Sequence, residues 1–240
     1  MITLFLQLLL AHLIGDFAFQ PTKWVKHKNE KKAASKYLYL HIAIHALLLF
    51  IILQFALKYW VGILAICITH YLIDIGKLYG QVRFKGSYLF VIDQLLHMVV
   101  ITVVAVLYTQ PQFQGIAITN EFLLAACSVV FVTYVAAVLM RLIMNFWKLK
   151  EDSPEDSLQQ AGKYIGMIER LLIFLFVVLN QWSAIGFLIA AKSILRFSDL
   201  SRSKDRKLTE YVIIGTLLSI SIAIITGLAY KMTFRYLQTL

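Results

Sequence analysis

Apolar residues along this chain come in long runs, separated by short stretches where Pro, Gly and charge collect. Eight runs can be drawn, at 2–20, 37–57, 60–78, 88–109, 121–147, 164–180, 184–197 and 211–231, the seventh being short. About 20 predominantly apolar residues in an α-helix cross the hydrocarbon core of a bilayer, so each run predicts a transmembrane helix. The first begins Met1-Ile2-Thr3-Leu4 with no basic flank, and no small-residue cleavage signal follows it. It is expected to be retained as a helix.

Composition narrows the class. Of 240 residues, 60% are apolar and 15% charged, with mean hydropathy +0.76; a soluble domain is roughly 45–50% apolar and about 25% charged. The reading is an all-α, polytopic membrane helical bundle of about eight transmembrane helices, with no room for a separate soluble catalytic domain. Cys67 and Cys127 lie in different apolar runs without CxxC spacing, so they suggest neither a disulfide framework nor a thiolate metal site.

Charge sets the expected orientation. Of the 23 Lys and Arg residues, 19 fall in four alternate connections, the first of which is the Lys-rich segment from Lys23 to Lys36. The opposite side holds Lys58, Lys231 and Arg235, and Arg170 lies within a run. Cationic loops stay in the cytoplasm, which places both termini outside it. The net charge of +10 is spread over short loops without a nucleic-acid reading motif, so no nucleic-acid partner is expected. The segment from Lys23 to Lys36, with His27, reads as a solvated topology signal close enough to touch anionic lipid head groups.

Five of the six histidines lie in the first four runs, each with a His or Asp four residues away: His12 and Asp16, His41 and His45, His70 and Asp74, Asp93 and His97. Residues at i and i+4 share one helix face, which is how a helix offers two ligands to one ion. The orientation drawn from Lys and Arg alone brings all eight to one depth. His12-Leu13-Ile14-Gly15-Asp16 is also echoed by His70-Tyr71-Leu72-Ile73-Asp74, and a pair ending in His follows in each case. The first four helices therefore read as two duplicated hairpins about an axis along the membrane normal.

Hydrogen-bonded glue between helices is the plainer explanation for one such pair. For the whole set it is weak, because each Asp at a helix centre costs about 2.5–3.5 kcal/mol on insertion scales. Metal binding is the favoured reading, with His12, Asp16, His41, His45, His70, Asp74, Asp93 and His97 as ligands. Imidazole and carboxylate without thiolate suit a divalent transition metal, with zinc the first choice, iron or manganese next, and one or two ions.

The stretch His12-Leu13-Ile14-Gly15-Asp16-Phe17-Ala18-Phe19-Gln20, with the Lys-rich connection and paired histidines after it, resembles a bacterial inner-membrane family known as a domain of unknown function, number 3307. The resemblance covers roughly the first 110 residues. It implies a prokaryotic inner-membrane protein and supplies no activity. The His-rich helices are also loosely similar to intramembrane metal-dependent hydrolases, but the chain has neither HExxH nor the HxxHH clusters of membrane di-iron hydroxylases.

The chain thus divides into a four-helix His/Asp half at 1–110 and a four-helix membrane half at 111–240. The second half carries Lys163, Glu169, Arg170, Lys192, Arg196 and Glu210 near the same depth. Arg170, Lys192 and Arg196 read as a basic rim for an anionic group, oriented by Glu169 and Glu210. Small residues at Gly215, Ser219, Ala223 and Gly227 predict close helix packing. The expected function is a metal-dependent hydrolase acting on an amphiphilic, anionic, phospholipid-like substrate at the cytoplasmic leaflet. Its nucleophile is water acidified by the ion, and Asp16, Asp74 or Asp93 serves as general base. A divalent metal transporter, or a scaffold or sensor with a structural metal, is the alternative.

Overall fold

The computed structural model describes the backbone over residues 2–108, 119–145, 156–202 and 206–239, and side chains over the same ranges except 156–161, 195–202 and 206–208. Helix α1, Ile2–Leu13, runs into a π-helical turn, Ile14–Ala18. Pro21 then stops it, because proline donates no backbone N–H and disfavours helical geometry in the residue before it. The chain bends by 84° into α2, Thr22–Lys31.

Helix α2 corrects the sequence reading, which treats this segment as a solvated connection. A search for apolar runs passes over a helix this rich in Lys. Three contacts hold it: Trp24 stacks on Tyr37 with ring centroids 5.3 Å apart, His27 Nδ1 lies 2.7 Å from Ser35 Oγ, and Lys32 Nζ donates to the Leu78 carbonyl at 2.8 Å.

Helices α3, Lys36–Ile52, α4, Trp60–Gly80, and α5, Gly86–Leu107, follow. Helix α6, Asn120–Val130, passes through a second π-helical turn, Phe131–Val135, into α7, Ala136–Met144. The chain closes with α8, Asp156–Val178, α9, Trp182–Arg202, and α10, Arg206–Gln238. Residues 109–118 and 146–155 fall outside the described backbone.

Among the described residues four helices are long and apolar enough to cross a membrane: Leu57–Gly80, Gly86–Leu107, Asn120–Met144 and Thr209–Gln238. The bent pair Ile2–Ala18 with Thr22–Ala34 passes only as a unit, and Lys36–Ile52 and Trp182–Ile194 are shorter apolar helices. At 17 residues, α3 is about 25 Å long at 1.5 Å per residue, somewhat less than a hydrocarbon core of about 30 Å.

Two compact units result, residues 1–127 and 128–240, and the division falls inside helical structure rather than at residue 110. In the first, α1 packs on α3 and α5, and α4 packs on the same two helices, giving a square four-helix bundle. One end is filled by Leu4, Leu8, Leu49, Leu53, Ile63, Ile66, Ile101, Val104 and Ala105. There Tyr108 accepts a hydrogen bond from the Gly62 backbone N–H at 2.9 Å, satisfying one of the orphan donors of the first turn of α4. The other end of the bundle is polar. Cys67 and Cys127 are free thiols.

In the second unit α10 packs along α8 around Val132, Ile173, Phe174, Val177, Ile185, Ile220 and Ala223. Ser219, Ala223 and Gly227 of the predicted small-residue stripe lie in this contact, while Gly215 faces Met144 of α7. A Cβ on Gly227 would come within 2.7 Å of a Val177 methyl, so only glycine permits the approach. Among lipid tails, such packing rather than expulsion of water holds helices together.

Candidate metal centre

The i, i+4 spacing carries through to the structure. His12, His41, His45, His70, Asp74, Asp93 and His97 are each at most 5% exposed, and the Asp16 side chain is 9% exposed. They come from α1 and its π-helical turn, α3, α4 and α5, one pair per helix, and meet at the polar end of the bundle. Gly15 makes the meeting possible, because a Cβ there would stand 2.4 Å from His45 Nε2. The His45 ring occupies the space a side chain would need.

Asp16 is the hub. Its Oδ1 lies 3.1 Å from His41 Nε2, 3.0 Å from His45 Nε2 and 3.3 Å from His70 Nε2. His41 Nε2 and His70 Nε2 are themselves 3.1 Å apart. As a hydrogen-bond set this is overcommitted. A carboxylate oxygen offers about two lone-pair directions, and three imidazole N–H groups cannot all use them while two of the nitrogens also bond each other. As the edges of a coordination polyhedron the distances are natural, since four ligands about 2.0–2.1 Å from a tetrahedral ion stand about 3.3 Å apart.

Three overlapping groups have ligand atoms within 4.8 Å of one another: His12, Asp16, His45 and His70; His41, His70 and Asp74; Asp16, Asp93 and His97. His70 joins the first two and Asp16 joins the first and third, so the donors suit one ion or a pair sharing a carboxylate. Among the described residues, Asp93 Oδ1 and both ring nitrogens of His97 are buried with no hydrogen-bond partner. A buried polar atom left unpaired costs about 1–3 kcal/mol. All three atoms lie in the group of Asp16, Asp93 and His97, which could hold a metal ion.

A second layer surrounds these atoms. Lys28 Nζ donates to Asp74 Oδ2 at 2.9 Å and Lys77 Nζ to Asp93 Oδ2 at 2.7 Å. Gln94 Nε2 donates to Asp16 Oδ2 at 3.2 Å and to Asp93 Oδ2 at 3.1 Å, while its Oε1 lies 3.3 Å from His12 Nε2. The Gln20 amide nitrogen lies 3.0 Å from His41 Nε2 and 3.3 Å from its Nδ1. Such contacts fix ring orientation around metal ligands. Sequence reasoning misses all four residues. Lys77 carries a signal, lying three residues after Asp74 on the same helix. Lys28 carries none that separates it from the neighbouring lysines.

The residues expected to form a basic rim lie in the second unit. Arg170 is buried, with Nε donating to the Val132 carbonyl at 2.8 Å, Nη2 to the Thr133 carbonyl at 3.1 Å and Nη1 to Ser219 Oγ at 3.4 Å. The π-helical turn makes these carbonyls available, so the guanidinium closes a helix irregularity of its own unit instead of presenting a free fork to an anion. Lys192 donates to Glu169. Glu210 is exposed, and the Arg196 side chain falls outside the described residues.

Fold and site together define a polytopic helical membrane protein whose first bundle closes around a buried histidine and aspartate centre. The chain belongs to the DUF3307 family of proteins of unknown function, whose model matches residues 4–126, the span that supplies every residue of the centre. No curated protein and no solved structure matches it.

Proposed function

We propose that the first bundle holds one or two divalent transition-metal ions, zinc by preference, and that the protein is a metal-dependent hydrolase. Its substrate is an amphiphilic anion, phospholipid-like, reached from the cytoplasmic leaflet of a bacterial inner membrane. The observation that carries the reading is the convergence of three histidine Nε2 atoms on Asp16 Oδ1 at 3.0–3.3 Å. The ion supplies acidification of a water molecule and polarisation of the scissile group. Asp93 suits the general base: Lys77 and Gln94 fix its Oδ2, and its Oδ1 has no hydrogen-bond partner, leaving an oxygen to accept a proton.

Two features weigh against the alternatives. Permeation needs polar groups on the far side of the site, and the described residues there form a hydrocarbon core. A purely structural ion needs a closed site, whereas a cleft lined by Gln20, Lys28, Asn29, Asp74, Lys77 and Gln81 reaches Asp74.

The test is to strip the detergent-purified protein of metal, reload it with zinc, manganese or iron, and measure bound metal together with hydrolysis of anionic phospholipids in mixed micelles. Metal-dependent product release supports the assignment. Stoichiometric metal without product from a broad phospholipid panel would leave the centre structural.

A further inference from the structure

Two ammonium groups border the polar end of the first bundle, one buried and one partly exposed, and metal coordination does not use them. Lys28 comes from α2, the helix folded back by 84°, and is 5% exposed; Lys77 comes from the last turn of α4. Both line one cleft, together with the amides of Gln20, Asn29 and Gln81. An ammonium carries three N–H donors. Among the described residues Lys28 uses one, on Asp74, and Lys77 uses one, on Asp93, with its charge also 5.4 Å from the Phe90 ring centroid. Donors therefore remain on two cations and three amides around a single cleft.

Charge gives the cleft its sign. Asp16, Asp74 and Asp93 contribute three negative charges, Lys28 and Lys77 two positive ones, and imidazoles that ligate a metal are neutral. One divalent ion turns this net negative set net positive. It also draws on the carboxylate that holds Lys28, since Asp74 belongs to a possible ligand group. A lysine whose carboxylate partner is shared with an ion has charge to offer a second anion.

We infer that the cleft between α2 and α4 is an oxyanion subsite, in which Lys28 and Lys77 hold a phosphate group beside the metal centre. The inference rests on the proposed metal site and identifies where that site takes the anionic part of its substrate, in place of Arg170, Lys192 and Arg196. A phosphate fits better than a carboxylate, because its several oxygens can engage two cations from different helices while one remains towards the ion. The phosphate can belong to a lipid head group or be free in solution.

The experiment measures zinc content and anion binding on the same samples of full-length protein in detergent. The probes are inorganic phosphate and short-chain phosphatidic acid. Zinc-loaded protein is expected to bind at least one of them, about tenfold or more tightly than the metal-free protein. Phosphate binding would indicate a free anion, and binding of phosphatidic acid alone a lipid head group. Lys77→Gln should weaken binding about tenfold or more with zinc retained, and Arg83→Gln, on the exposed connection after α4, should not. Because Lys28→Gln strands Asp74 and can misfold, Gln81→Glu is the companion variant. It adds a negative charge to the cleft wall, leaves both lysine pairs intact, and should weaken binding similarly. Unaltered binding in Lys77→Gln and Gln81→Glu with zinc present, or binding of neither probe by zinc-loaded protein, overturns the subsite while the metal site stands. Failure of the wild type to retain zinc, manganese or iron overturns both.

Discussion

His45 Nε2 stands 3.0 Å from Asp16 Oδ1, and the ring reaches that oxygen across the bare backbone of Gly15. Gly15→Ala would place a methyl 2.4 Å from the same nitrogen, and the neighbouring atoms there are a ring packed against His70 with centroids 4.0 Å apart. The ring must therefore leave the hub. Overpacking of this kind costs about 1–3 kcal/mol. The variant should fold with a lowered melting temperature and lose most of its metal, read by elemental analysis of purified protein.

His41→Ala and Asp74→Ala lie on different helices and should both reduce metal retention. Loss of an outer contact costs about 10–100-fold in affinity and loss of a direct ligand usually more. Competition with a chelator of known affinity gives the number. Unchanged retention in both variants, with the fold intact, would refute a shared centre.

Acid should release the metal. Imidazole nitrogens must be unprotonated to ligate, so protons compete for the same lone pairs, and occupancy should fall as pH is lowered. Equilibrium dialysis across a pH series checks the sign: occupancy rising on acidification would exclude histidine ligation.

Arg170→Lys should destabilise the second unit without emptying the first. A lysine cannot donate in the three directions that the guanidinium uses towards Val132, Thr133 and Ser219. Leaving carbonyls of the π-helical turn unpaired costs about 1–3 kcal/mol. Thermal unfolding in detergent should show the loss, while metal content stays at the wild-type value.

The eight histidines and aspartates were legible because a helix maps spacing onto direction: four residues make one turn, and a ligand pair on one face survives folding unchanged. Lys28 was not legible. Its importance comes from a bend of 84° at Pro21 that lays a polar helix against α3 and lets Lys28 reach Asp74 of α4, and a search for apolar runs cannot see a helix held by one stacked Trp and a few hydrogen bonds. Gln94 stands beside Asp93 in sequence, yet its link to Asp16 depends on how α1 and α5 dock. Arg170 was recognisable as a buried charge. Its partners were not, because a π-helical turn is a matter of backbone register that Phe131, Val132, Thr133, Tyr134 and Val135 do not announce by type.

The topology drawn from loop cations yields a further expectation. A cysteine at position 26 on the exposed face of α2 should react with an impermeant thiol reagent only from the cytoplasm, and tags at either terminus only from outside. Labelling of either terminus from within the cytoplasm would refute the eight-span topology as drawn.

The apolar packing around Leu8, Leu49, Ile66 and Ile101 has an electrical consequence. A dry segment is where a transmembrane potential falls, at about 2.3 kcal/mol per elementary charge per 100 mV for a charge carried across the whole of it. The aspartates and lysines lie on one side of that segment, so an ion arriving from the polar end crosses little of the field. Its occupancy should be indifferent to membrane voltage, and the centre should neither consume nor dissipate an ion gradient. In proteoliposomes loaded with zinc, imposing or collapsing a potassium diffusion potential should leave both metal retention and vesicle tightness as they were.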